Sequence, residues 1–138
     1  MLAGAVGTFT RSRGRAFLAG IATHLLADLV PHRDFGVTAE VAMAAAALAT
    51  VGVVAGFDSP ALAGAIGGVA PDIENGLGAA GMMGRPCFPT HRGAHGRQVR
   101  EVSSQIAVSC VALGILLWQA RRQRLPTARP EDHCPALR

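Results

Sequence analysis

Residues 41–57 of this chain hold no charged side chain, and Thr50 alone interrupts a run of Ala, Val, Leu, Met, Gly and Phe. A run of that length and character has two outlets. It is either the core helix of a bundle or a segment that crosses a membrane. A second run, over residues 102–120, is nearly as apolar. Two shorter ones, 14–30 and 59–74, each end in ionisable residues. The expected fold is therefore all-α, a small polytopic membrane bundle of about four helices over 14–30, 38–57, 59–74 and 102–120.

Punctuation sets the ends. Pro31 stops the first helix, because a residue before proline is driven out of helical geometry. Asp58, Ser59 and Pro60 form a turn, with Ser59 as N-cap and Pro60 at the first helical position. Gly64 and Gly68 are spaced to let two helices approach closely, or they express simple glycine richness; both readings stand at this stage. Residues 75–89 are rich in Gly and Pro and read as a loop. Trp118, followed by Arg121, Arg122 and Arg124, reads as an interfacial anchor and stop signal. Residues 1–125 form one helical membrane domain in this reading, and 126–138 a disordered polar tail. Residues 1–7 are apolar but too short, and lack the positive flank, for a signal peptide.

Composition narrows the class. Of 138 residues, 50% are hydrophobic and 16% charged, against about 25% charged in an ordinary soluble domain. Mean hydropathy is +0.33. The net charge of +4 comes from 13 basic residues, all of them Arg. These flank apolar segments rather than forming a basic helix, and no aromatics are interleaved for base stacking, so nucleic acid is not the expected partner. Cys87, Cys110 and Cys134 lack ligand spacing and define neither a disulfide framework nor a zinc ribbon.

Most of the chemistry is confined to three short pieces. The first, 24–34, carries His24, Asp28, His32, Arg33 and Asp34. The second is Pro71, Asp72, Ile73 and Glu74, and the third is His91, Arg92, Gly93, Ala94 and His95. Ionisable groups among apolar helices are costly unless paired, hydrated or bound to a cation. Helix counting brings the pieces together. The first helix ends at its piece, the second returns, and the third comes back to end at Asp72 and Glu74. The loop holding His91 and His95 follows on that side. The opposite end collects Arg11, Arg13, Arg15, Arg121, Arg122 and Arg124, which the positive-inside rule makes cytoplasmic. Arg33, Arg85, Arg92, Arg97 and Arg100 on the near end blunt that assignment.

His24 and Asp28 are four apart on a helix and share a face. An imidazole and a carboxylate so placed can hold one cation; zinc suits them, and manganese or iron also. His32 or Asp34 can turn back to add a donor. His91 and His95 repeat the spacing if helical, with Thr90 as a candidate cap. Arg33 and Arg92 can hold an anion, since guanidinium matches phosphate oxygens. Each piece also has a plainer reading. His24–Asp28 can be a helix-surface contact, Asp72 a helix end, His91 and His95 solvated loop residues, and the arginines a membrane-interface collar.

The three pieces resemble those of a family of bacterial membrane-bound metal-dependent hydrolases, distantly similar to zinc-dependent phospholipase C. The resemblance spans residues from about 14 to 100. It implies a helical membrane protein with His and Asp at such places. The expectation built on this is a protein of the bacterial inner membrane, in contact with lipid, that hydrolyses an ester or phosphoester through metal-activated water. By the resemblance His24, Asp28, Asp72, His91 and His95 would be metal ligands; the residues themselves add His32 as a further candidate ligand and Asp34 or Glu74 as candidates for the general base. The chain departs from the pattern in three places. Only Ala94 separates Gly93 from His95, Glu74 stands where an Asp is expected, and residues 1–10 hold no His. These departures favour an alternative: a non-catalytic membrane scaffold or metal-handling protein that keeps the cluster.

Overall fold

A computed structural model describes residues 1–30, 32–33, 35–79, 81–84, 88 and 102–124. The described residues form five helices: α1 (Leu2–Gly7), α2 (Arg13–Ala27), α3 (Val37–Ala55), α4 (Pro60–Ala79) and α5 (Ser103–Arg124). No strand occurs among them. The all-α expectation holds, with one helix more than the four expected. The tail beyond Arg124 lies outside the described residues.

The added helix is α1. Six residues are too few to reveal a period, and an isolated helix that short is unstable in water. Tertiary packing supports it: Ala3, Gly4, Ala5 and Gly7 are buried, with α1 resting on α4 and α2.

The most intimate packing is between α2 and α4, and it is made by glycines. A Cβ on Gly20 would collide with the Gly64 carbonyl, and one on Gly67 with the Phe17 carbonyl. A Cβ on Gly68 would meet that of Ala3 at 2.5 Å. Gly64 and Gly68 therefore serve close helix packing, which settles the question the sequence left open. The buried core is correspondingly small-grained, formed by Ala5, Val51, Ala61, Ala65, Ala112 and Leu116.

Serine side chains cap two helix starts, the second of them as expected. Ser12 caps α2 by accepting the Arg15 N–H. Ser59 Oγ accepts the Leu62 N–H at 3.1 Å, with Pro60 opening α4. Other boundaries differ. The first apolar helix ends at Ala27 rather than 30, and the chain leaves it through a tight turn in which Val30 N–H bonds the Ala27 carbonyl. α3 stops at Ala55 because Gly56 takes φ +96°, a conformation that glycine adopts readily. α4 runs through Pro71 to Ala79 instead of ending at 74. Its stop is Gly81 at φ +73°, with Met82 N–H bonded to the Leu77 carbonyl and Gly81 N–H to the Gly78 carbonyl. This is a Schellman closure, so the first part of the expected loop is helical. α5 extends past residue 120 to Arg124.

Among the described residues, two helices are long and apolar enough to cross a membrane. They are Val37–Ala55 and Ser103–Gln123, with mean hydropathies of 1.9 and 1.4 and 11% of each window buried. At 1.5 Å per residue the first is about 28 Å long, close to the roughly 30 Å hydrocarbon thickness. α2 and α4 do not meet that test, in keeping with the ionisable residues at their ends.

The helices alternate in direction, so the bundle has two chemically distinct ends. At one, Arg13 of α2 pairs with Asp58 in the α3–α4 turn. Thr8, Ser59, Gln119 and Gln123 surround a cavity of about 110 Å³ there. At the other, Gln105 Nε2 near the start of α5 donates to the Arg33 carbonyl at 3.0 Å. His24, Asp28 and Asp72 lie toward that second end.

Candidate functional site

The last turn of α2 carries His24, and Asp28 is its C-cap. One helical turn apart, their side chains face each other, with His24 Nε2 3.3 Å from Asp28 Oδ2. α4 crosses beside them and brings Asp72 Oδ1 to 3.5 Å from the same nitrogen. Two pieces far apart in sequence thus meet, as helix counting anticipated. Pro71 is buried within α4. Asp72 is placed by the helix and its packing, not by a loop.

Burial differs among the three groups. His24 and Asp28 side chains are each 12% exposed, while Asp72 is 55% exposed. Moreover, His24 Nε2 and Asp28 Oδ2 are buried atoms without a hydrogen-bond partner among the described residues. They lie at ion-pair distance, with no hydrogen bond between them. A buried carboxylate oxygen left without a donor costs free energy, more than a neutral polar atom does. A cation between them would engage both lone pairs, so this donor pair fits one. The pair is not a complete site. Among the described residues, no group of three or more His, Cys, Asp or Glu is placed to hold a metal ion. A zinc site takes three or four protein ligands.

The neighbouring candidates are tied into structure. His32 Nδ1 lies 2.8 Å from the Val30 carbonyl; a donated Nδ1–H there leaves Nε2 as the ring's acceptor. Arg33 lies over the Phe35 ring, 5.4 Å from its centroid, and Gln105 holds its carbonyl. Glu74 is buried, about 200° around α4 from Asp72 at two residues' remove. Its Oε2 accepts the Phe88 N–H at 2.9 Å. That bond is a structural use of a residue expected as a general base. Asp34, His91, Arg92 and His95 lie outside the described residues.

Two residues at this end escaped sequence reasoning. Gln105 joins α5 to the linker after α2, and its Oε1 is buried without a hydrogen-bond partner among the described residues. Its signal was a lone amide in the first turn of an apolar helix. Glu40 Oε1 accepts the Phe35 N–H at 2.9 Å, fastening the linker onto the first turn of α3. An acid near a helix N-terminus, where the dipole favours it, was the available clue.

No family profile, curated protein or solved structure matches this chain.

Proposed function

We propose that this chain is an integral membrane protein of the bacterial inner membrane, and that its His24–Asp28–Asp72 end binds a divalent metal for hydrolysis of an ester or phosphoester. One observation carries the reading: His24 Nε2 and Asp28 Oδ2 are buried, face each other at 3.3 Å, and lack hydrogen-bond partners among the described residues. α3 and α5 supply the membrane part, being long, apolar and little buried.

His24 and Asp28 would hold the ion, with Asp72 beside them. His91 and His95, and His32 if its ring turns inward, are the candidates to complete the set. Zinc fits an imidazole–carboxylate set, as do manganese and iron. When bound, such an ion supplies Lewis acidity and makes water a stronger acid at neutral pH. Asp28, fixed at the helix end, is the ion-pair partner that faces the His24 ring. Arg33, resting on Phe35, is the candidate to meet an anionic oxygen. With Glu74 engaged by the Phe88 amide, Asp34 becomes the preferred general base.

A second reading, a scaffold or metal-handling protein without turnover, is favoured by the lack of three grouped ligands among the described residues. Turnover of ester and phosphodiester substrates by detergent-purified protein, with and without chelator, separates the two. Chelator-sensitive hydrolysis that is lost in His24→Ala supports the enzyme. Bound metal without hydrolysis supports the second reading.

A further inference from the structure

A groove of about 160 Å³ lies between α1, α2 and α4, and His24 forms part of its wall. Ala3, Thr23, Ala27, Gly68 and Val69 contribute to the rest. Its lining side chains are aliphatic apart from the Met1 thioether, His24 and Thr23, and Thr23 Oγ1 already donates to the Ala19 carbonyl at 2.7 Å. The hydroxyl proton is therefore spent on the helix itself. A polar guest would find its side-chain partner at His24, and the one other polar group of note among the lining residues is the largely buried Met1 α-amino group.

We infer that this groove takes the apolar tail of a single-chain amphiphile whose ester or phosphoester linkage lies at His24. The inference rests on the proposed hydrolytic site and adds the class of its substrate. Three observations lead to it. The groove is continuous with the candidate site, because one residue belongs to both. Its size matches an apolar cavity that holds a benzene-sized guest, about 150 Å³; that is room for the few carbons of one tail nearest the linkage, and not for two chains side by side. Finally, α3 and α5 expose Val41, Val53, Ile106 and Val111, and such surfaces place the protein among apolar chains. The glycine packing defines the groove. Gly68 packs directly against the Ala3 methyl, which sets how closely α1 approaches α4 beside the groove.

The test uses full-length protein in detergent and a diazirine-bearing fatty acid as the probe, with labelled peptides mapped by mass spectrometry. Label concentrated on α2 and α4 around Thr23, Ala27 and Val69 is the expected result. Ala27 is exposed at the end of α2, so Ala27→Phe narrows the mouth without entering the core. It should reduce that labelling by roughly tenfold, as blocking a fitted apolar pocket does. Ala46→Phe, on an exposed face of α3, should leave it unchanged. Label spread evenly over α3 and α5, or indifferent to Ala27→Phe, overturns the inference. Metal content measured on the same samples keeps the two claims apart. Groove labelling without bound metal upholds the tail site and refutes the metal hydrolase. Bound metal without groove labelling upholds the metal site and refutes the tail site.

Discussion

His24 on α2 and Asp72 on α4 lie 48 positions apart in sequence, yet His24 Nε2 comes within 3.5 Å of Asp72 Oδ1. The glycine-lined crossing of the two helices makes this approach possible. Asp28 completes the cluster from the same helix as His24, and it is the buried partner. The arrangement couples packing to chemistry: whatever separates α2 from α4 also separates the imidazole from the second carboxylate.

Asp28→Ala should lower stability by about 1–3 kcal/mol, since it removes the ion-pair partner 3.3 Å from the buried His24 Nε2. His24→Leu combined with Asp28→Leu should recover much of that loss, as apolar replacements of buried polar pairs often do. Thermal unfolding in detergent checks both. Added zinc should raise the unfolding temperature of the parent protein and leave the double variant unmoved, because only a folded state that binds is stabilised.

Gly20→Ala drives a methyl group into the Gly64 carbonyl. Overpacking of this kind costs about 1–3 kcal/mol, and here the obstacle is backbone that cannot swing aside. Gly14→Ala is the control. Nothing lies within 4 Å of the added carbon, and alanine favours a helix by roughly 0.5–1 kcal/mol. Denaturation of the two variants side by side should give opposite signs.

Ala46 lies exposed at the middle of α3. If α3 spans a bilayer, Ala46→Asp costs about 2.5–3.5 kcal/mol of insertion free energy. If α3 faces water, the same change stays within about 0.5 kcal/mol. Insertion efficiency of α3 in a reporter host segment distinguishes them, and the proposed function predicts the larger penalty.

Glu74→Ala removes the acceptor for the Phe88 N–H and should cost about 1–3 kcal/mol. Glu74→Gln keeps an acceptor oxygen and should restore most of it. A residue that acts only by fastening the chain near 88 keeps its activity in the Gln form. A general base loses it. Hydrolysis and amide exchange at Phe88, measured on both variants, decide which role Glu74 has.

What the sequence revealed depended on whether the signal was local. Ser59 and Pro60 announced the start of α4, because capping and proline at the first turn are properties of adjacent residues. The apolar runs located α3 and α5, since both require length and composition alone. The meeting of His24 with Asp72 followed from counting helices between them. The end of α4 was misread, because Gly76 and Gly78 look like breakers while the actual stop is the positive φ of Gly81. α1 was missed since its stability comes from contacts with α2 and α4 rather than from its own six residues. Gln105 was likewise invisible, as its partner is the Arg33 carbonyl 72 positions away.

The central claim is that His24 and Asp28 bind a metal. Elemental analysis of detergent-purified protein tests it most directly, comparing the parent chain with the His24→Ala/Asp28→Ala double variant. Stoichiometric zinc, manganese or iron in the parent, lost in the double variant, is the predicted result. Metal absent from both, or equal in both, contradicts the account and leaves His24, Asp28 and Asp72 as a polar collar on the bundle.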